Sequence, residues 1–171
     1  SWRSSYTIGG SPGSPNIDPI ITNLYINEFI ASNDSCYADD YSEYDDWIEL
    51  YNAGNEAINI GGLFITDDLD DPTSWQIPLT NPNQTTIQPD SFLVLWADKD
   101  TDQGVLHVDI KLSDSGEQIG IAIINFPDTV YVDSLSFGEQ TSDVSYGRYP
   151  DGGEYWQYFN TPTPSTRNTL P

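Results

Sequence analysis

Three groups of carboxylates carry the spacing in this chain that best suits a ligand. Asp98-Lys99-Asp100-Thr101-Asp102-Gln103-Gly104 sets carboxyls at alternate positions of a short loop, and Gly104 lets the chain turn. Ca²⁺ takes roughly six to eight oxygens, and an EF-hand loop opens on the same device. The match is partial. Asp109 stands where the bidentate Glu of an EF-hand would be, and the ladder follows a predicted strand instead of a helix. A second set, Asp39, Asp40, Glu43, Asp45 and Asp46, precedes Trp47; a third is Asp67, Asp68, Asp70 and Asp71. If the strands carrying Glu28, Trp47 and Thr66 are neighbours, Asp45, Asp46, Asp67 and Asp68 meet at one end of the fold. Converging carboxylates raise one another's pKa, and a divalent cation relieves the repulsion. Two readings stand: Ca²⁺ held by Asp98, Asp100 and Asp102, with Asp45, Asp46, Asp67 and Asp68 as a second candidate set, or acidic loops that fan out into water.

Constellations for catalysis are poor. His107, the single histidine, lies in Leu106-His107-Val108-Asp109, and no nucleophile-elbow sequence accompanies it. Pairs of Asp suitable for glycoside hydrolysis are easy to write when Asp is so common, and carry no weight without a cleft. Cys36 has acidic neighbours, which raise a thiol's pKa, and no basic one to lower it. The expectation is no enzyme. Trp75, Tyr155, Trp156 and Tyr158 either form a platform that stacks sugar rings or fill and cap the core. Arg148, among so many acids, is expected to pair internally with a carboxylate. Asn33-Asp34-Ser35 and Asn83-Gln84-Thr85 are glycosylation sequons.

Composition narrows the classes further. The chain has 171 residues, 27 acidic and 5 basic, for a net charge of −22. A nucleic-acid partner needs a basic footprint and is excluded, as is docking on anionic lipid. The aromatic content of 13% argues against disorder despite the charge. No apolar run approaches the ~20 residues of a membrane span. One cysteine excludes an internal disulfide and a Cys-based zinc cluster. The absence of Met, even at position 1, points to a processed or excised piece. Self-repulsion favours a monomer. Scarce Lys and abundant Asp, Asn, Thr, Ser and Tyr point to an extracellular or cell-surface setting.

The elements that must position these residues are strands. No window sustains helical periodicity; short β-branched and aromatic runs alternate with Gly, Asn and Pro turn clusters. Strands are expected at 24–30, 47–51, 63–66, 92–96, 105–110, 118–124, 130–137 and 145–149. In Trp47–Tyr51 the alternation turns Ile48 and Leu50 inward. Phe92–Trp96 is apolar throughout and reads as buried on both faces. Gly120 and Gly138 read as bulges or points of close packing. So many short strands in one domain-sized chain argue for an all-β sandwich.

Six blocks run in a telling order. They are Leu24–Asn33 (LYINEFIASN), Tyr44–Asn52 (YDDWIELYN), Ile60–Asp68 (IGGLFITDD), Leu93–Asp98 (LVLWAD), Leu112–Glu117 (LSDSGE) and Asp143–Gly152 (DVSYGRYPDG). This series resembles the lamin tail domain, also called the intermediate filament tail domain, in its bacterial secreted form, over about residues 23–168. The resemblance implies an immunoglobulin-like β-sandwich of two mostly antiparallel sheets. It also implies a non-catalytic module of a larger secreted or surface protein. The DNA binding linked to nuclear lamin tails does not carry over, because the charge has the wrong sign. Residues 17–171 are read as this domain. Residues 1–16 are read as a linker or the tail of a preceding similar domain, because Trp2 to Asn16 repeats the order of Trp156 to Asn168.

The resulting expectation is a binding, adhesion or spacer module, stabilised by Ca²⁺, whose partner is a protein or polysaccharide at the cell surface. The alternative is a carbohydrate-binding module of an exported hydrolase, using Trp75, Tyr155 and Trp156.

Overall fold

A computed structural model describes residues 21–171. The expectation for residues 1–16 lies outside the described residues. Twelve strands form in chain order: β1 Leu24–Ile30, β2 Trp47–Asn52, β3 Ile58–Asn59, β4 Phe64–Thr66, β5 Trp75–Gln76, β6 Thr86–Ile87, β7 Ser91–Ala97, β8 His107–Val108, β9 Glu117–Asn125, β10 Asp128–Phe137, β11 Ser145–Arg148 and β12 Trp156–Phe159. One short helix, α1 Pro82–Thr85, is started by Asn81, whose side chain accepts the Gln84 amide.

The strands make a six-stranded sheet, β12-β11-β1-β2-β7-β8, a four-stranded sheet, β10-β9-β4-β5, and the small pair β3-β6. All pairings are antiparallel except β7–β8. This is the expected all-β, immunoglobulin-like sandwich. Between the two larger sheets lie Leu24, Ile26, Phe29, Ile48, Leu50, Leu95, Ile65, Ile119 and Ile121, all at 1% exposure or less. Phe29 packs on Phe137 at 4.5 Å between ring centroids. Full burial of each such side chain contributes roughly 1.5–3 kcal/mol.

In β1 the inward residues switch from even to odd numbers. The register steps from Ile26↔Leu50 to Glu28↔Glu49, which leaves Asn27 without a cross-strand partner. This bulge puts Ile26 and Phe29 on the same core face.

Ile48 and Leu50 do point inward, but β2 has no solvated face: all six residues are buried. Trp47 joins a smaller cluster with Ile30, Val94 and Trp96. In β7 the burial on both faces holds from Val94 onward, and Phe92 and Leu93 are half-exposed. Of the strand expected at 105–110 only His107–Val108 pairs, parallel to β7. Gly120 is a point of close packing: a Cβ there would lie 2.6 Å from Leu69 Cδ2 and 2.7 Å from Tyr131 Cε1. Gly138 is not, since nothing lies within 4 Å of its Cβ position.

Candidate metal centre

The acidic loops meet at the end of β7. Asp98 follows the last residue of that strand, and its side chain has no solvent exposure. The parallel pairing sets Trp96 opposite His107 and brings the imidazole to Asp98. Nδ1 of His107 lies 2.6 Å from Oδ2 of Asp98, and the His107 side chain is 7% exposed. The other Asp98 oxygen accepts the Asp100 amide at 2.9 Å, turning the chain into a 3-10 helix at Thr101–Gln103. Gly104, at φ +143°, then leads back to β8, and its carbonyl accepts the His107 amide. A side chain is strained at that φ, which accounts for the glycine.

The loop before β2 closes over this end. Asp39 Oδ1 accepts the amides of Tyr41 and Glu43 at 2.9 and 2.8 Å. Its Oδ2 is sealed from solvent and has no hydrogen-bond donor. Tyr41 donates its hydroxyl to the Gln103 carbonyl, and Gln103 donates to Glu43 at 2.7 Å, so the two loops are tied together. The Gln103 Oε1 atom is likewise sealed and unpartnered. Two sets can each offer three ligand atoms within 4.8 Å of one another: Asp39, Asp98 and His107, and Asp39, Glu43 and Asp45. Burial, then the charges of Asp98, Glu43, Asp39 and Asp100, push the Asp45 carboxyl up from its ordinary pKa. A cleft of about 340 Å³ opens beside the imidazole, lined by Tyr41, Trp96, Gln103, Gly104 and His107.

Of the residues singled out in the sequence, Asp98 and Asp45 come together here. Asp100 and Asp102 are exposed and join neither set. Asp46 accepts the Asn33 amide at 3.2 Å, and burial pushes it up to about 6. Asp67 accepts the amide of Lys111 from another loop and Asp68 that of Asp70 in its own, and neither joins the two sets. Sequence reasoning did not place His107 or Asp39 with Asp98. The pairing of β7 with β8 joins them, and no local pattern reports it.

The aromatic candidates do not form one strip. Trp75 sits in the four-stranded sheet and Trp156 at the edge of the six-stranded one. Arg148 covers the Trp156 ring at 4.8 Å. Tyr155 and Tyr158 are exposed. As expected, Arg148 pairs internally, with Asp133 at 3.0 Å. Cys36 is an exposed residue whose thiol, partly desolvated where it donates to the Asp143 carbonyl, is raised in pKa by that desolvation and by the Asp143 charge.

A second polar cluster is centred on two buried glutamates. Glu28 accepts from Ser145 Oγ, the Thr163 amide and Thr163 Oγ1 at 2.5–2.9 Å. Glu49 accepts the Ser165 amide at 2.5 Å and the Asn27 side chain at 3.4 Å. Asn168 donates to the carbonyls of Arg148 and Asn27 at 2.7 and 3.3 Å. Burial pushes Glu49 up to about 8 and raises Glu28 as well. These groups bind the segment from Thr163 to Asn168 across β1 and β2.

Comparison with curated proteins and with solved structures returned no match. A family model, the Lamin Tail Domain, matches residues 20–147. The match spans most of the chain and includes the blocks around Glu28, Glu49, Asp98 and Gly147, and the chain belongs to the lamin tail domain family.

Proposed function

We propose that this chain acts as a non-catalytic, extracellular binding, adhesion or spacer module of a larger secreted or surface protein, stabilised by Ca²⁺ at its acidic pole. The family match over residues 20–147 carries the reading, because the family is one of non-catalytic immunoglobulin-like domains. The most buried carboxyls, Glu28 and Glu49, are spent on holding backbone together. The net charge of −22 favours a monomer and a partner other than nucleic acid, a protein or polysaccharide at the cell surface. For Ca²⁺ the oxygen-only set of Asp39, Glu43 and Asp45 supports the reading more than the ladder Asp98, Asp100 and Asp102 does.

Thermal melting in EDTA and then in millimolar Ca²⁺ tests the cation. At a hundredfold excess over Kd the gain is about 2.7 kcal/mol. For a chain of this size that raises Tm by roughly 5–10 °C. An unchanged midpoint sinks the Ca²⁺ part. Turnover of a glycan, ester or peptide substrate that one point substitution abolishes would sink the non-catalytic part. The exposure of Tyr155 and Tyr158 favours a second reading, sugar stacking, and a glycan array with Tyr155→Ala as control separates it from protein binding.

A further inference from the structure

We propose that Asp39, Asp98 and His107 form a binding site for one divalent transition-type cation of the zinc class. The inference shares the acidic pole with the reading above but not its Ca²⁺. Ca²⁺ takes oxygen donors, whereas an imidazole among the donors shifts the preference to borderline metals such as Zn²⁺.

Four observations converge. The three side chains come from separate stretches of the chain, and their ligand atoms lie within 4.8 Å of one another. Asp39 Oδ2 is shut off from water with no donor, while Oδ1 is occupied by two amides. A buried carboxylate oxygen is costly in that state, and a cation is the partner it lacks. Asp98 and His107 are almost wholly buried and hold each other at 2.6 Å, so both side chains are fixed in place beside Asp39. No Lys or Arg among the described residues forms an ion pair with Asp39, Asp45 or Asp98. The cleft lined by Tyr41, Gln103 and His107 provides the route in.

The test is calorimetric titration and melting of the EDTA-stripped chain with ZnCl₂ and, separately, CaCl₂, with Co²⁺ as a visible probe. The expected result is one equivalent of Zn²⁺, a raised Tm, and a Co²⁺ spectrum of the intense tetrahedral type. His107→Gln should weaken Zn²⁺ by more than the roughly 10–100-fold that loss of an outer-shell partner costs, and leave the response to Ca²⁺ in place. If that variant does not fold, Asp39→Asn decides, because its remaining oxygen still accepts the Tyr41 and Glu43 amides. Loss of Zn²⁺ binding in Asp39→Asn supports the site, and unchanged binding overturns it. Absence of Zn²⁺ binding up to millimolar, or an octahedral Co²⁺ spectrum, also overturns it. A Ca²⁺ response without a Zn²⁺ response defeats only this inference; the reverse defeats only the Ca²⁺ reading.

Discussion

Glu28 and Glu49 stand opposite one another across β1 and β2, neither with any solvent exposure, and both carboxylates accept backbone amides from the segment 163–165. Two acids so placed cannot both ionise cheaply. Asp151 adds negative charge to both, and Arg167 lies 3.6 Å from Asp151.

Stability should therefore fall as the solution becomes alkaline. Glu49 is raised from 4.5 to about 8 in the folded chain. Its contribution is complete below pH 4.5 and is lost as pH rises towards 8. A single such proton changes stability by up to about 1.4 kcal/mol per pH unit. Asp46, raised to about 6, adds to the slope only at lower pH. Denaturant titrations of the parent and of Glu49→Gln should differ in slope from about pH 4.5 to about 8, where the variant is flatter. Parallel curves would show that Glu49 is not the titrating group.

Asn168→Ala should destabilise the fold by about 1–3 kcal/mol. The residue is 4% exposed and supplies the donors for two carbonyls, of Arg148 and Asn27. Removing the amide leaves those acceptors buried without partners. Urea unfolding reads the loss directly, and a change below about 0.5 kcal/mol, the range of ordinary surface substitutions, would contradict it.

Arg148→Lys should cost about 2 kcal/mol despite keeping the charge. The guanidinium reaches both Asp133 oxygens, the Ile26 carbonyl and the Gly153 carbonyl, and lies over Trp156. An ammonium cannot reproduce that fork or the stacking. Thermal melting of the variant checks it, with an unchanged Tm as the opposing result.

Expression in a glycosylating host should leave Asn33 bare. Its side-chain nitrogen is engaged with the carbonyls of Tyr37 and Asp45 at 2.7 and 2.8 Å, in a residue only 6% exposed. Asn83, exposed on α1, is the sequon open to modification. Peptide mass mapping distinguishes the two, and a glycan on Asn33 would mean that its loop opens.

The long strands were legible because their signal is local. Runs of β-branched and aromatic residues in Leu24–Ile30, Trp47–Asn52 and Ser91–Ala97 appear in the residues themselves. The two-residue strands β3, β5 and β6 were not, since so short a pairing is decided by the neighbour across the sheet. Trp156–Phe159 was missed for a related reason: it is an edge strand whose order comes from β11. Glu49 sits at a position that alternation assigns to water, the bulge turns Glu28 to the same side, and Ser145 and residues 163–168 cover them. The matching polar residues in Ile26-Asn27-Glu28 and Ile48-Glu49-Leu50 were the available signal, and the family series contained them. The acidic pole was half legible. Its residues were named, but which of them meet depends on the parallel contact of β7 with β8.

The segment from Thr163 to Asn168 also bears on how the protein is made. Its amides and hydroxyls are the partners of glutamates laid down in the first two strands, well over a hundred positions earlier. A ribosome-bound chain shorter than that holds two uncapped acids against an apolar layer. Synthesis must run past the segment 163–168 before the sandwich can seal, and a product stalled or clipped before it is left open for proteases to find.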